Sequence, residues 1–219
     1  RLNSPVYVDN NANLGALAEY HAGALRGKPN SLYVNVDDGI GAGLILNGAV
    51  FRGHHGAAGE FGHMVLDEEG ALCRCGNRGC LETLAGGQAI VDSVRTGRRG
   101  LKLHDVVVRA IAGDSACIRA IADAGRHLGI AAGNLSNVFD PERIAVGGEL
   151  SQAGELLLGP MRHAMERSVI VGSGQAADLV QSQLGPRSEL LGTIAFAIDQ
   201  LSIGRGTTLS AEPSESATS

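Results

Sequence analysis

The chain has 219 residues, of which 44% are hydrophobic and 19% charged, and its formal net charge is −5. That length buries a sizeable core in one large domain or two small ones. Aromatic residues are only 3% and tryptophan is absent, so the core is built from Ala, Val, Leu and Ile. Base-stacking platforms are excluded, and the acidic balance argues against this chain itself gripping a phosphate backbone.

The opening "RLNSPVYVDN" lacks the apolar stretch of a signal peptide, and no apolar run reaches membrane-spanning length. The expectation is a cytoplasmic protein with no membrane partner. "PVYV" reads as a short strand. "NANLGALAEYHAGAL" has apolar residues at helical spacing, with Asn11 or Asn13 as the cap. "SLYVNVD" and "AGLIL" read as strands. Asn47-Gly48 between two apolar runs predicts a hairpin, because both turn residues need positive φ.

Residues 53–82 read as one long irregular loop, a length that calls for a function or a staple. Helical patterns resume around 84–96, 104–112 and 115–136. "RIAVGG" reads as a strand ending in glycines, and "ELSQAGELLLGPMRHAMER" as a helix with Ser151 as its cap. "ADLVQSQL" reads as a strand and "ELLGTIAFAIDQL" as a last helix. Residues 1–203 form the folded part, and the polar stretch 204–219 reads as a disordered tail. The pattern is α/β with mixed strand connections.

Three of the four cysteines fall within eight residues of the loop: Cys73, Cys75 and Cys80, with His63 ten positions upstream. Three thiolates and an imidazole suit tetrahedral zinc, and the glycines of "GNRG" let the backbone turn tightly enough to bring two thiols together. A shell closed by four protein ligands is structural and does not activate water. Cys117 lies in a helical pattern among Ala and Ile and reads as a buried small hydrophobe. Glu60 and Glu82 flank the metal motif. Zinc would draw both carboxylates to one place, and the second ring nitrogen of His63 would point outward as a donor. That set suits a polyhydroxylated ligand such as a sugar; the competing reading is two solvated loop charges.

"GEFGHMVLDEEGALCRCGNRGCLETLAGG" resembles the signature of the ROK family, which holds sugar kinases and sugar-responsive transcriptional repressors. "VDNNANLGALAEY" resembles its sugar-site helix start, "VDDGIGAGLILNGAVFRG" its second phosphate segment and "FDPERIAVGGELS" its adenosine-side segment. The resemblance implies an actin-like ATPase, or ribonuclease-H-like, fold, of which this chain would be the second, C-terminal lobe carrying a zinc-stapled loop. It implies that His63, Cys73, Cys75 and Cys80 bind zinc, that Asn10, Glu60, His63 and Glu82 contact sugar hydroxyls, and that Gly39, Gly41, Gly147 and Gly148 belong to phosphate and nucleotide segments.

Two departures bear on activity. Family kinases read "END-A-N" at the sugar site, with the aspartate as general base, whereas this chain has Asn11 there. An amide hydrogen-bonds a hydroxyl but does not take its proton. Kinases read "GTG" where this chain has Asp37, Asp38 and Gly39, so carboxylates stand beside the phosphates. The plain reading of Gly39, Gly41 and Gly43 is then a hairpin that needs small residues, and of Gly147 and Gly148 a strand-to-helix turn.

The expectation is the sugar-sensing half of a ROK-type transcriptional regulator and not an enzyme. A sugar or amino sugar would be bound by Asn10, Asn11, Glu60, His63 and Glu82. Operator DNA would be reached only through a winged helix-turn-helix preceding the chain, and the family resemblance implies a homo-oligomer. The rivals are a sugar kinase using ATP and magnesium, and a zinc-stapled interaction domain without a small ligand.

Overall fold

The computed structural model describes residues 6–94, 100–170 and 176–206. A five-stranded sheet of order β3-β2-β1-β4-β5 organises it. The strands are β1 (Ser31–Val36), β2 (Ile40–Leu46), β3 (Ala49–Phe51), β4 (Arg143–Gly147) and β5 (Asp178–Gln181). The hairpins β1–β2 and β2–β3 are antiparallel, and β1–β4 and β4–β5 are parallel. All six residues of β1 are buried, as a central strand covered on both faces requires. Leu32, Val34 and Val36 point into the larger core, with Leu128, Leu157 and Met161. Tyr33 points the other way, with Ala16, Leu25 and Ile45. This period of two sorts the strand's side chains between the two layers.

One face carries α1 (Asn11–Ala22) and α7 (Ser188–Gly206), which pack together. The other carries α2 (Leu81–Ala85), α3 (Gly87–Val94), α4 (Leu103–Ile111), α5 (Ser115–Phe139) and α6 (Glu155–Ser168). The turn at Asn47 and Gly48 has φ of 50° and 80°, as its sequence requires. Gly43 lets α1 lie directly on β2: a Cβ there would stand 2.4 Å from the Ala12 carbonyl oxygen. Close packing, not phosphate approach, therefore explains this glycine. None of the described helices is long and apolar enough to cross a membrane.

Several expectations are corrected. The segment expected as a first strand has no regular structure at residues 6–10, where Val6 and Val8 stand exposed; a strand needs a sheet edge to pair with. Asn10, not Asn11 or Asn13, caps α1, its Oδ1 accepting from the Ala12 N–H at 2.8 Å. The helix expected over 84–96 is two helices meeting at Gly86, and residues 95–96 lie outside the described residues. Ser151 does not cap α6. It lies in a 3-10 segment, Glu149–Ala153, and donates to the Gly148 carbonyl. Helix α7 runs on to Gly206, into the stretch read as tail; residues 207–219 lie outside the described residues. Cys117 is fully buried in the core, as expected.

Candidate functional site

The loop expected over 53–82 ends at Cys80, because α2 begins at Leu81, and it is closed on itself by a bridge between Leu72 and Arg78 and another between Val65 and Cys80. Gly79 makes the closure possible. Its φ is 60°, and a Cβ there would lie 1.5 Å from the Asp67 carbonyl oxygen. Inside the inner bridge, the Cys73 N–H donates to the Asn77 carbonyl at 2.7 Å. His63 comes from a 3-10 turn, Phe61–His63, and Cys80 immediately precedes α2.

The ligand atoms of His63, Cys73, Cys75 and Cys80 all lie within 4.8 Å of one another. Cys73 Sγ is 3.5 Å from His63 Nδ1, and Cys75 Sγ is 3.6 Å from Cys80 Sγ. Zinc bonds of about 2.0–2.3 Å give tetrahedral edges of about 3.4–3.8 Å, so the donor set and these two edges fit the ion. No disulfide joins any of the four cysteines. Burial, then the neighbouring thiols of Cys75 and Cys73, pushes the Cys80 thiol up to about 12. Taking up a metal would displace that proton. All four protein ligands are used, so the group that fits here would brace the loop.

The loop forms one wall of a cavity of about 360 Å³, lined by Asn10, Asn11, Asn35, Glu60, His63 and Arg74. Asp37, Asp38, Gly39 and Gly41 also line it. Sites expected far apart in sequence thus meet on one surface. With Nδ1 turned to Cys73, the other nitrogen of His63, Nε2, lies 3.8 Å from Glu60 Oε2. That gap is too long for a hydrogen bond, so a hydroxyl seated to one side of the pair would reach both groups. Glu82 stands behind the wall, not in it. Its Oε2 accepts from the Ile40 N–H at 3.1 Å and from Arg74 Nη2 at 3.1 Å, and its Oε1 pairs with Arg74 Nε at 2.9 Å.

Asp9 holds Asn10 and Asn13 at the start of α1. Its Oδ1 accepts from Asn10 N and Asn13 Nδ2, both at 2.8 Å, and its Oδ2 accepts from Arg52 Nε at 2.9 Å and Nη2 at 2.5 Å. Burial works to raise the Asp9 carboxyl, but the hydrogen bonds from Asn13, Arg52 and the Asn10 backbone together hold it below the usual carboxylate range. The Arg52 guanidinium lies 5.3 Å over the Phe196 ring of α7. At the other end of α1, the fully buried Glu19 accepts from the N–H groups of Ala24 at 2.6 Å and Leu184 at 3.0 Å, and from the Ser182 hydroxyl. Asn11 itself donates to Glu189 Oε1 at 3.2 Å.

A second cavity, also about 360 Å³, adjoins the first across Asn35 and Asp37, which line both. Tyr33, Gly148, Glu149 and Glu189 line it too. Asp37 accepts from the Glu149 N–H at 2.6 Å through Oδ1 and from Asn35 Nδ2 at 2.8 Å through Oδ2. Of the glycines, Gly148 has a φ of 80°, and a Cβ on Gly147 would collide with the Tyr33 hydroxyl at 2.1 Å. Both therefore have a packing reason, while Gly39 and Gly41 border the first cavity.

Sequence reasoning missed Asp9, Glu19, Arg52 and Arg74. Their partners lie up to 169 residues away, and nothing local marks them, except that Arg74 sits between two metal-motif cysteines.

Residues 1–200 match the model of the ROK family. The chain is 34% identical over 199 residues to the xylose repressor of Bacillus subtilis, covering 91% of this chain and 52% of the repressor. It thus spans about half that relative's length. Among solved structures it resembles a ROK-family glucokinase from Streptomyces griseus in complex with glucose and AMPPNP, at 31% identity and a TM-score of 0.80, covering 89% of this chain and 68% of the kinase. It is equally similar to a ROK-family transcriptional regulator, a homologue of the E. coli MLC protein, at 34% identity and a TM-score of 0.80, covering 90% and 52%. The signature residues, the actin-like architecture and these relatives agree: the chain belongs to the ROK family.

Proposed function

We propose that this chain is the sugar-binding, effector-sensing part of a ROK-type transcriptional regulator. The observation that carries the proposal is the Asp37 carboxylate seated 2.6 Å from the Glu149 N–H. A carboxylate of the segment that resembles the family's phosphate-binding stretch is thus bonded to the segment that resembles its adenosine side, and it sets negative charge against an incoming phosphate. Asn11 agrees with it, offering an amide where the family's kinases have a base.

The first cavity keeps what a sugar needs. Asn10 uses its Oδ1 as a cap, which leaves its amide hydrogens for a ligand oxygen. Glu60 and His63 Nε2 bracket one hydroxyl. Glu82 acts from behind the wall as a supporting carboxylate that holds Arg74 and the Ile40 N–H in place. Structural zinc on His63, Cys73, Cys75 and Cys80 fixes the loop that presents these groups. Sugar binding would favour one of two arrangements of the whole protein and so change its hold on operator DNA through a separate module. The apolar stripe of Leu190, Ile194 and Ile198 on α7 suits a protein interface in a homo-oligomer. The cytoplasm is the location this role requires.

The test is calorimetric titration of the intact protein with hexoses and amino sugars, and in parallel with ATP and magnesium. The reading expects a sugar to bind with no phosphorylated product. Absence of binding by every sugar would sink it.

One observation favours a kinase instead. The Glu189 carboxylate lies 3.2 Å from Asn11 Nδ2, close to the family's base position. If Glu189 takes the proton, the intact protein phosphorylates a sugar from ATP, and Glu189→Gln abolishes the activity.

A further inference from the structure

Charge is distributed unevenly around the first cavity. Its walls carry three carboxylates, Asp37, Asp38 and Glu60, and one guanidinium, Arg74. Arg74 is neutralised by Glu82, with Nε 2.9 Å from Oε1 and Nη2 3.1 Å from Oε2. Asp37 is engaged by the Glu149 N–H and Asn35. That leaves Asp38 and Glu60 as uncompensated negative charge. Asp38 is exposed, and its carboxylate has no hydrogen-bond partner among the described residues. The Glu60 side chain is 60% exposed and approaches only His63, at 3.8 Å.

A cavity of this kind discriminates by charge. A phosphorylated or carboxylated sugar would bring a second anion against Asp38 and Glu60 with no unpaired cation to receive it. A neutral sugar is accepted through hydroxyl hydrogen bonds. A sugar whose hydroxyl is replaced by an ammonium group gains attraction to both carboxylates. We infer that the cavity selects a cationic amino sugar over its neutral and anionic analogues, with Asp38 as the specificity-determining residue. The inference rests on the reading of this cavity as a sugar site and adds the ligand's charge class to it. It also gives Asp38 a role, where comparison with the kinase pattern shows only a lost hydroxyl.

The test titrates the intact, zinc-loaded protein with glucosamine, glucose, N-acetylglucosamine and glucose 6-phosphate. Glucosamine is expected to bind roughly tenfold or more tightly than glucose, a difference of about 1.4 kcal/mol. N-acetylglucosamine, which has lost the charge, loses the advantage, and glucose 6-phosphate binds more weakly than glucose. In Asp38→Asn the ratio of glucosamine to glucose affinity falls towards unity. Because Asp38 is exposed, the variant is expected to fold, and an unchanged zinc content and melting temperature verify this. Glu60→Gln lowers the preference independently. Glucose binding without a preference for glucosamine, or tighter binding of glucose 6-phosphate, overturns the charge inference and leaves the sugar site standing. Failure of all four ligands to bind overturns both.

Discussion

The two adjoining cavities are similar in volume and share Asn35 and Asp37, yet they differ in how far the chain has satisfied its own polar groups. On the loop side, Glu60 and His63 Nε2 stand 3.8 Å apart without a hydrogen bond. On the side of the phosphate-like segment, the Glu149 N–H, Asn35 and Asp37 bond one another at 2.6–2.8 Å. A polar site keeps affinity for a ligand only while its donors and acceptors lack better internal partners. The contrast teaches that two neighbouring halves of one cleft can diverge through a few side chains while the backbone that frames them is kept.

The largest expected effect comes from unpinning the loop wall. Cys80→Ser removes a fully buried thiol of the four-residue cluster and is expected to abolish stoichiometric zinc, melt the 53–80 loop and destroy sugar binding. Metal analysis together with a thermal scan checks it. Zinc sites of this class supply on the order of 10 kcal/mol of binding free energy to folding, so chelation should reproduce the loss. Next comes Glu60→Gln, which keeps shape but removes charge. It should weaken sugar binding by about 1.5–3 kcal/mol without altering metal content, and an unchanged affinity would return Glu60 to an ordinary loop charge.

Smaller effects sharpen the other half of the comparison. Asn11→Asp puts a carboxylate where Asn11 now donates to Glu189 at 3.2 Å. Like charges at that range cost about 1–5 kcal/mol before screening, and both side chains are exposed, so a loss of about 1 kcal/mol or less is expected. Denaturant melts of the single variant and of the pair with Glu189→Gln should show the pair recovering stability.

The smallest effect is at Asp9. Its folded-state carboxyl is held below the ordinary 3.8, so its contribution is present above the unfolded value and disappears as pH falls through the depressed folded value. Stability should therefore decline below about pH 4, and less steeply in Arg52→Ala. A pH series of melts distinguishes the two slopes.

Local patterns were legible wherever the cause lies within a few residues. The Asn47-Gly48 hairpin, the helix over 115–136 and the spacing of Cys73, Cys75 and Cys80 needed nothing from the rest of the chain. Expectations failed where a partner was distant. "PVYV" alternates like a strand, but its described residues 6–8 join no sheet, and the cap of α1 fell to Asn10, since the entry of the chain is held by Asp9 and Arg52. Glu82 carries the right chemistry for a sugar contact, but its carboxylate is turned to Arg74 and the Ile40 N–H.

The sequence by itself determined the family, the α/β alternation and the metal-binding motif, because residue type and spacing encode ligand chemistry and local backbone preference directly. The tertiary structure alone decided which carboxylates are engaged. Asp37, Asp38, Glu60 and Glu82 are chemically alike in a sequence, and only the packing of α1, the loop and β4 against β1 sets their partners. Two are bonded by the protein and two remain open to a ligand.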